Sequence, residues 1–220
     1  MKAIVIVLCL VTLGVSGYAQ KVDLLASDTQ MEEVNANYKK SDYKGIKSLR
    51  VEPSAAKTEA RFIALKSVDF KDGIIEVDVV GKRAESAGAM ARGFVGVAFH
   101  VNEDNSKFEC FYIRPTNGRA KDQMRRNHSV QYISYPDYPW HKLRKETPGK
   151  YETYADLQEG VWTKLKIKVK GSKAVLYVNG VEQATLIVND LKHGEKAGKI
   201  GLWVGPGTEA YFANLKLTNQ

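Results

Sequence analysis

The sequence predicts an all-β domain, either a sandwich or a barrel, and three observations carry this prediction. Short segments alternate apolar and polar residues with a period of two, and turn residues separate them about every 8–12 residues. No segment shows the repeat of a long amphipathic helix. In the clearest strand, 163–169, Leu165, Ile167 and Val169 share one face and the intervening lysines share the other, as in a sheet that covers a core.

The other strands follow from the same alternation and from turn chemistry. Residues 74–80 alternate in the same way, and Gly171-Ser172 separates two strands. Asn179-Gly180 predicts a type I′ turn, because both central positions of that turn need positive φ. The mostly polar Met31–Lys40 is predicted as a short helix or a loop. Further strands are predicted at 47–51, 60–65, 94–101, 107–114, 129–134, 174–178, 184–188, 199–204 and 210–217.

Residues 1–19 predict a secretory signal peptide rather than part of the fold. Lys2 precedes an apolar run at 3–15, and Gly17 and Ala19 are small residues that favour cleavage after Ala19. The run is shorter than the roughly 20 residues that a membrane-spanning helix needs. Cys9 lies inside the run, but the residues before it do not match a lipoprotein signal. We therefore expect a secreted or periplasmic protein with one domain at 20–220 that does not span the membrane.

Cysteine content and charge narrow the function classes. Once Cys9 leaves with the signal, Cys110 is the remaining cysteine, so an intrachain disulfide is excluded and an inert, buried thiol is expected. The formal net charge is +8. The excess of basic residues is concentrated between Arg114 and Lys145, which predicts an anionic partner. Because export makes nucleic acid an improbable partner, an acidic glycan or a phosphate-bearing surface is expected instead.

Five segments resemble strands of the concanavalin A-like lectin and glucanase superfamily. Residues 70–78 (FKDGIIEVD) resemble the early strand of laminin-G-like and related jelly-roll domains. Residues 162–167 (WTKLKI) and 176–180 (LYVNG) resemble their central hairpin. Residues 198–203 (GKIGLW) and 212–217 (FANLKL) resemble their closing pair of strands. Within the superfamily, the closest likeness is to the bacterial domain family named for 3-keto-disaccharide hydrolase, with laminin-G-like domains second.

The resemblance implies a two-sheet antiparallel β-sandwich of the jelly-roll type, in which a concave sheet binds saccharide or carries catalytic acids. Retaining jelly-roll glucanases place paired carboxylates on one strand face, about 5–5.5 Å apart. Glu76 and Asp78 supply the first half of such a motif, but Val80 and Gly81 follow where a second glutamate would stand. The retaining-glucanase mechanism is therefore not expected.

Candidate catalytic residues come from histidines near a carboxylate. His100 and Glu109 lie on successive predicted strands at about hairpin spacing, which suits a general acid/base pair, two ligands of a divalent metal, or an ordinary surface pair. For an enzyme of the keto-disaccharide type, Glu109 with His100 or His128 would be the acid/base or metal-binding groups. No metal signature is present, and no sequence motif supports a structural cation such as calcium, so the cofactor stays open.

The long irregular stretch Pro115–Asp156 is the predicted binding region, since long loops in compact domains are often functional. It interleaves aromatic rings, which stack on sugar faces, with planar groups that bind hydroxyls and carboxylates. The alternative is a solvated basic loop with its aromatic rings packed beneath it. The predicted substrate-binding residues are Arg114, Asn117, Arg119, Arg126, Gln131, Tyr132, Trp140, Arg144 and Tyr151.

The sequence thus favours a carbohydrate-binding protein that recognises an anionic or modified glycan through residues 114–156. A glycoside-cleaving enzyme of the 3-keto-disaccharide hydrolase type is the first alternative. A non-catalytic assembly or structural module is the second.

Overall fold

Two antiparallel β-sheets form the domain in the computed structural model, which describes residues 19–27 and 29–219. In chain order the strands are β1 (Ala19–Lys21), β2 (Met31–Val34), β3 (Ala36–Tyr43), β4 (Ile46–Pro53), β5 (Phe62–Phe70), β6 (Gly73–Arg83), β7 (Val95–Val101), β8 (Phe108–Ile113), β9 (Val130–Tyr135), β10 (Glu152–Thr153), β11 (Thr163–Lys170), β12 (Lys173–Val178), β13 (Leu186–Val188), β14 (Gly198–Val204) and β15 (Thr208–Asn219). Three short helices are α1 (Pro115–Gly118), α2 (Gln123–Asn127) and α3 (Trp140–Glu146).

The sheets follow the long-range pairing of a sandwich rather than the closed pairing of a barrel. One sheet has the order β13-β12-β11-β6-β15-β4-β3, with β1 also pairing β15. The other has the order β10-β9-β8-β7-β14-β5-β2. The two sheets are separate and neither closes on itself, so the two-sheet sandwich implied by the resemblance is confirmed. Neighbouring strands such as β6 and β15 are distant in sequence.

The main core lies between the two sheets and follows from the alternation in the sequence. Leu165, Ile167 and Val169 of β11 point into it, while the lysines between them face away. Ile75 and Val77 of the neighbouring β6 continue the same apolar face. Burying an aliphatic side chain of this kind contributes roughly 1.5–3 kcal/mol each.

A second apolar cluster covers the outer face of the seven-stranded sheet. Tyr112 of β8 and Trp203 of β14 stack there with ring centroids 4.7 Å apart, across Gly96 of the intervening β7. A Cβ at Gly96 would lie 2.6 Å from Tyr112 Cα and Cβ, so this approach requires glycine. The Trp203 indole N–H donates to the Glu59 carbonyl at 2.7 Å, which ties the β4–β5 loop to this face. The middle of this face is therefore filled by protein.

Several local predictions are confirmed by the backbone. Asn179 and Gly180 have φ of 55° and 74°, as a type I′ turn requires. Cys110 is fully buried in the second cluster, where desolvation raises the pKa of its thiol well above the usual range.

The prediction that 115–156 is largely irregular is wrong in part. This stretch contains three short helices, β9 and β10.

The prediction of a helix or loop at Met31–Lys40 is wrong. The segment forms β2 and most of β3, joined at Asn35, which has a positive φ of 48°. Both strands are at sheet edges, and many of their side chains are partly exposed. Edge strands need little apolar alternation, so the polar sequence hid them.

The signal-peptide prediction falls largely outside the described residues. The apolar run at 3–15, and Cys9 within it, also lie outside the described residues. Within 19–27 and 29–219, no helix is long and apolar enough to cross a membrane.

Candidate functional site

An open cavity of about 560 Å³ lies at one end of the seven-stranded sheet, where β8 ends and β7 begins. Helices α1 to α3 and two loops surround it. Its wall is formed by residues 88–92, Phe94, Arg114, Asn117, Arg125, His128, Trp140, Arg144, Pro206 and Gly207. Ligand pockets in proteins typically enclose about 300–1,000 Å³, so this cavity has the size of a ligand site.

Arg114 anchors the floor of the cavity. Its guanidinium Nη2 donates to the Tyr112 hydroxyl at 2.8 Å and to Gln131 Oε1 at 3.3 Å, and Nη1 donates to the His128 carbonyl at 2.9 Å. The same guanidinium lies 5.9 Å from the Trp140 ring centroid. An arginine has five N–H donors, so the three protein hydrogen bonds leave two for a ligand.

The two short helices after Arg114 set the positions of the other polar groups. The Asp122 side chain caps α2 by accepting from the Arg125 N–H at 2.7 Å, which places Arg125 at the cavity rim. Asn117 Nδ2 donates to the His128 carbonyl at 3.2 Å. Gly118 ends α1 against Leu157, and a Cβ there would lie 2.4 Å from the Leu157 nitrogen. These contacts fix Asn117, Arg125 and His128 around one opening.

Positive charge in the cavity exceeds the negative charge available to balance it. Arg92, Arg114 and Arg125 form no salt bridge within the described part of the chain. Burial lowers the pKa of Arg114, and the nearby Arg144 lowers it further. Burial also lowers the pKa of Arg92, with added repulsion from Arg125, Arg83 and Arg114. An anion bound among these guanidiniums would relieve that repulsion.

Arg144, Glu152 and His128 form a charged group on one side of the cavity. Arg144 grips the buried Glu152 carboxylate, with Nη2–Oε2 at 2.6 Å and Nε–Oε1 at 3.0 Å. His128 Nδ1 lies 2.8 Å from the same Oε2, but the contact is too bent to be a hydrogen bond. Burial is the main cause that lowers the pKa of His128, so the ring is neutral at neutral pH. Nδ1 of the ring thus lies against Glu152, while Nε2 makes no protein hydrogen bond in the described chain.

Aromatic and apolar groups form the rest of the wall, next to this charged group. Trp140 begins α3 and lies between two arginines, with its ring centroid 4.8 Å from the Arg144 guanidinium and 5.9 Å from that of Arg114. Phe94 lies beside Arg114, and the Met90 side chain is 78% exposed at the rim. Flat rings beside planar hydrogen-bond donors are the groups that recognise a sugar.

Five of the residues that the sequence singled out lie around this cavity. They are the binding candidates Arg114, Asn117, Trp140 and Arg144, together with the catalytic candidate His128. The other binding candidates lie elsewhere. Arg119 is exposed and pairs with Asp156 at 2.8 Å, and Arg126 lies over the Tyr154 ring at 4.9 Å.

Three predicted binding residues have structural roles instead of facing the cavity. Gln131 is buried, and its Nε2 donates to the carbonyls of Tyr132 and Tyr151. Tyr132 and Tyr151 belong to the core between the sheets, with ring centroids 5.5 Å apart. Their hydroxyls donate to Glu109 and to Asp190, which holds the 190–193 loop against the sheet.

His100 and Glu109, the predicted acid/base pair, do not hydrogen-bond to each other. Glu109 pairs with Phe99 in the sheet, and His100 has a positive φ of 52°, which turns its ring away. His100 Nε2 contacts the Lys71 carbonyl at 2.7 Å. Glu109 is fully buried and does not line the cavity.

Glu109 is therefore expected to act on stability rather than on binding in the cavity. It accepts hydrogen bonds from the Tyr132 hydroxyl at 2.6 Å and the His193 N–H at 2.8 Å. In Glu109→Gln one of these donors meets an amide NH₂, and an unmet buried hydrogen bond costs about 1–3 kcal/mol. Denaturant unfolding should show this loss, while the exposed Glu103→Gln should show none. Unchanged stability with loss of activity would instead restore the catalytic role.

The sequence did not single out several residues of the cavity. Arg92, Phe94 and Met90 come from the β6–β7 connection and the start of β7, about 20 residues before the predicted binding region. Glu152 lies within that region but resembles any surface acid in sequence. A signal was present in 87–93, where alanine and glycine alternate with Met90 and Arg92, as in a loop that approaches a ligand.

Comparison with protein families identifies the chain. The model of the 3-keto-alpha-glucoside-1,2-lyase-like domain matches residues 29–218. The chain belongs to this family. The predicted likeness to the keto-disaccharide family and to the concanavalin A-like superfamily is thereby confirmed, while the laminin-G-like likeness stays a prediction. No curated protein matches the sequence.

Solved structures share the fold of this domain. Carbohydrate-binding module CBM66 from Bacillus subtilis matches with a TM-score of 0.53 and 14% identity, covering 84% of this chain and 96% of that chain. A putative glycosyl hydrolase from Parabacteroides distasonis matches with a TM-score of 0.51 and 11% identity, covering 86% and 88%. A Bacillus subtilis protein of unknown function with a galectin-like fold matches with a TM-score of 0.53 and 12% identity, covering 87% and 89%.

These likenesses establish the fold, and the family places the domain among carbohydrate-binding or glycosidase-like β-sandwiches. Across residues 19–27 and 29–219, no three His, Cys, Asp or Glu side chains gather into a group that could hold a metal ion. The residues that line the cavity supply groups for anion binding, for stacking and for proton transfer at His128.

Proposed function

We propose that this protein binds an anionic or oxidised glycan in the arginine-lined cavity. One observation carries the proposal: Arg92, Arg114 and Arg125 face a cavity with no carboxylate paired to them in the described chain. Guanidinium groups bind carboxylate, sulfate or phosphate in planar, two-point geometry. The Trp140 ring supplies the face on which the sugar stacks.

The cavity's residues are already held in place before a ligand binds. Arg114 is fixed by three hydrogen bonds, and Arg144 is fixed by Glu152. Groups that are ordered in the free protein cost little entropy on binding. This favours recognition of a defined glycan over loose attraction of any anion.

Binding is expected to depend on the charge of the sugar and on salt. Calorimetric titration should give at least about tenfold tighter binding of glucuronate, galacturonate or sulfated sugars than of their neutral counterparts, which corresponds to about 1.4 kcal/mol. The difference should shrink as sodium chloride rises, because salt screens charges at partly exposed sites. Equal affinity for charged and neutral sugars would remove the anionic part of the proposal.

A second candidate function, elimination on a 3-keto-glucoside, is favoured by His128. Its neutral ring lies against Glu152 through Nδ1, and Nε2 makes no hydrogen bond within the described chain. In a 3-keto-glucoside the C2–H is acidic because it lies next to the carbonyl. Nε2 would take that proton, and the C–H electron pair would form an enolate whose oxygen the arginines stabilise.

The enolate then leads to cleavage of the glycosidic bond at C1. As the C3 carbonyl re-forms, the enolate electrons make the C1–C2 double bond and the C1–oxygen bond breaks. The departing oxygen takes the proton that His128 received. Release of the alcohol from a 3-keto-α-glucoside, together with the ultraviolet absorbance of the new enone, distinguishes this activity from binding alone.

Export is part of the proposal and rests on the sequence of residues 1–19. The apolar run and the small residues before Gln20 are typical of a cleaved secretory signal. The N-terminal sequence of the protein recovered from the periplasm or the medium should begin at Gln20. A protein retained in the cytoplasm with an intact N-terminus would argue against export.

A further inference from the structure

A second cavity of about 380 Å³ adjoins the first across a shared wall. The two cavities have Ala89, Ala91, Arg92 and Arg125 in common. Beyond this wall, the second cavity is formed by Arg83, Pro115, Thr116, Arg119 and residues 157–159. The two cavities are therefore neighbours, separated by the residues of this shared wall.

The arginines of the second cavity differ in how far they are neutralised. Arg83 pairs with Glu159, with Nε–Oε1 at 2.9 Å and Nη2–Oε2 at 3.0 Å. Arg119 pairs with Asp156 in the same two-point manner, with Nε–Oδ1 at 2.8 Å and Nη2–Oδ2 at 3.0 Å. Unneutralised charge is therefore concentrated on the shared wall rather than on the far side.

The two shared arginines have donors to spare. Arg92 uses Nη1 alone, which donates to the carbonyls of Ala89 and Ala91 at 2.6 Å and 2.8 Å. Arg125 makes one side-chain hydrogen bond in the described chain, a long one of 3.4 Å from Nη2 to Asn117 Oδ1. The remaining N–H groups of both side chains are available to one anionic group between the cavities.

A polar group in the second cavity also lacks a partner. The Thr116 hydroxyl is buried and makes no hydrogen bond within residues 19–27 and 29–219. A buried hydroxyl without a partner costs free energy, and a small movement of the wall would let a ligand hydroxyl recover it. The wall of the second cavity thus offers a polar contact of its own, independent of the charge on the shared wall.

We infer that the ligand is an oligosaccharide of at least two residues that spans both cavities, with its anionic group at Arg92 and Arg125. This inference rests on the proposed function and adds the length of the ligand and the position of its charge. One sugar ring lies against Trp140 in the first cavity. The next ring lies in the second cavity, near Thr116.

The test compares ligands of different length and charge on the full chain. Calorimetric titration would use galacturonic acid, trigalacturonic acid and fully methyl-esterified trigalacturonate, which has the same size but no charge. Trigalacturonic acid is expected to bind at least about tenfold tighter than either of the other two. Arg92→Ala should remove most of the advantage of the acid over its ester. Lys166→Ala, which removes one positive charge from the other sheet, should leave it in place.

Three outcomes overturn the inference. Equal affinity for galacturonic acid and trigalacturonic acid means that one cavity suffices, and the proposed function then stands without the second. An unchanged preference in Arg92→Ala means that the charge is read elsewhere, and Arg125→Ala repeats that test if Arg92→Ala does not fold. Binding of none of the three probes removes the anionic-glycan proposal itself, and this inference with it.

Discussion

Arg114→Met is expected to weaken binding of anionic sugars about 10- to 100-fold, the largest effect of any single change in the cavity. The guanidinium is buried at the cavity floor, where three hydrogen bonds to protein fix it and two of its N–H donors stay free for a ligand. A hydrogen bond to a charged group contributes about 1.5–3 kcal/mol, and each 1.4 kcal/mol is a factor of ten in affinity. Methionine fills similar volume, so cavity shape changes less than charge does. Calorimetric titration with the tightest ligand of the wild-type protein measures the loss.

The same substitution also affects folding, so the design needs two further variants. Without Arg114, the Tyr112 hydroxyl and Gln131 Oε1 lose a partner, which destabilises the protein by about 1–3 kcal/mol. Arg114→Lys keeps the charge but loses the planar fork, and it should bind with intermediate affinity. Lys168→Met removes an exposed charge from the other sheet and should bind normally. Full affinity in well-folded Arg114→Met would show that Arg114 does not contribute to the anion site.

The fold could be predicted from the sequence because its cues are local. The apolar and polar alternation in β6 and β11 predicts which face of each strand is buried, and Asn179-Gly180 predicts a tight turn. β2 and β3 could not be found this way, since these edge strands are only partly buried and carry many polar residues. The order of the strands also has no local cue: the pairing of β6 with β15 joins residues more than 100 positions apart, and the resemblance alone implied it.

The site could be predicted only in part, because its residues come together from separate connections. Interleaved aromatic and basic residues in 114–156 indicated Arg114, Trp140 and Arg144 as binding candidates, and the fold places these three around one cavity. The same composition could not tell a cavity arginine from Arg119, which a single carboxylate on another loop neutralises. Tyr132 has the composition of a sugar platform but alternates inward, where it packs between the sheets. Arg92 enters the cavity from the β6–β7 connection, which lies outside the predicted binding region and does not interleave aromatic with basic residues in the same way.

The histidine that sequence reasoning placed last among the catalytic candidates is the one that the fold brings to the cavity. His100 is enclosed between Phe70 and Phe99, with ring centroids 6.3 and 5.0 Å away. His128 instead lies between α2 and the start of β9, where its carbonyl accepts hydrogen bonds from Arg114 and Asn117. Strand ends and their loops place side chains at an opening, whereas strand centres place them in a core.

If the protein eliminates the C1 substituent of a 3-keto-glucoside, His128→Gln should lower kcat about 100- to 10,000-fold, the range that general base catalysis supplies. Binding should change little, because Arg114 and Trp140 remain. His141→Gln is the matched control, since His141 is exposed and outside the cavity wall. Residual activity near the wild-type level in His128→Gln would assign the base to another group.

The pH profile gives a second, independent readout of the same assignment. A base works when it is deprotonated, and burial lowers the pKa of His128 below its usual value near 6.5. The rate should therefore stay high at neutral pH, remain high somewhat below pH 6.5, and fall only as pH drops through the lowered pKa. Glu152→Gln removes the carboxylate that opposes this shift, so it should move the acid limb further toward low pH. A limb that stays in place in Glu152→Gln would show that the titrating group is not His128, because the Glu152 carboxylate is one of the groups that set the pKa of His128.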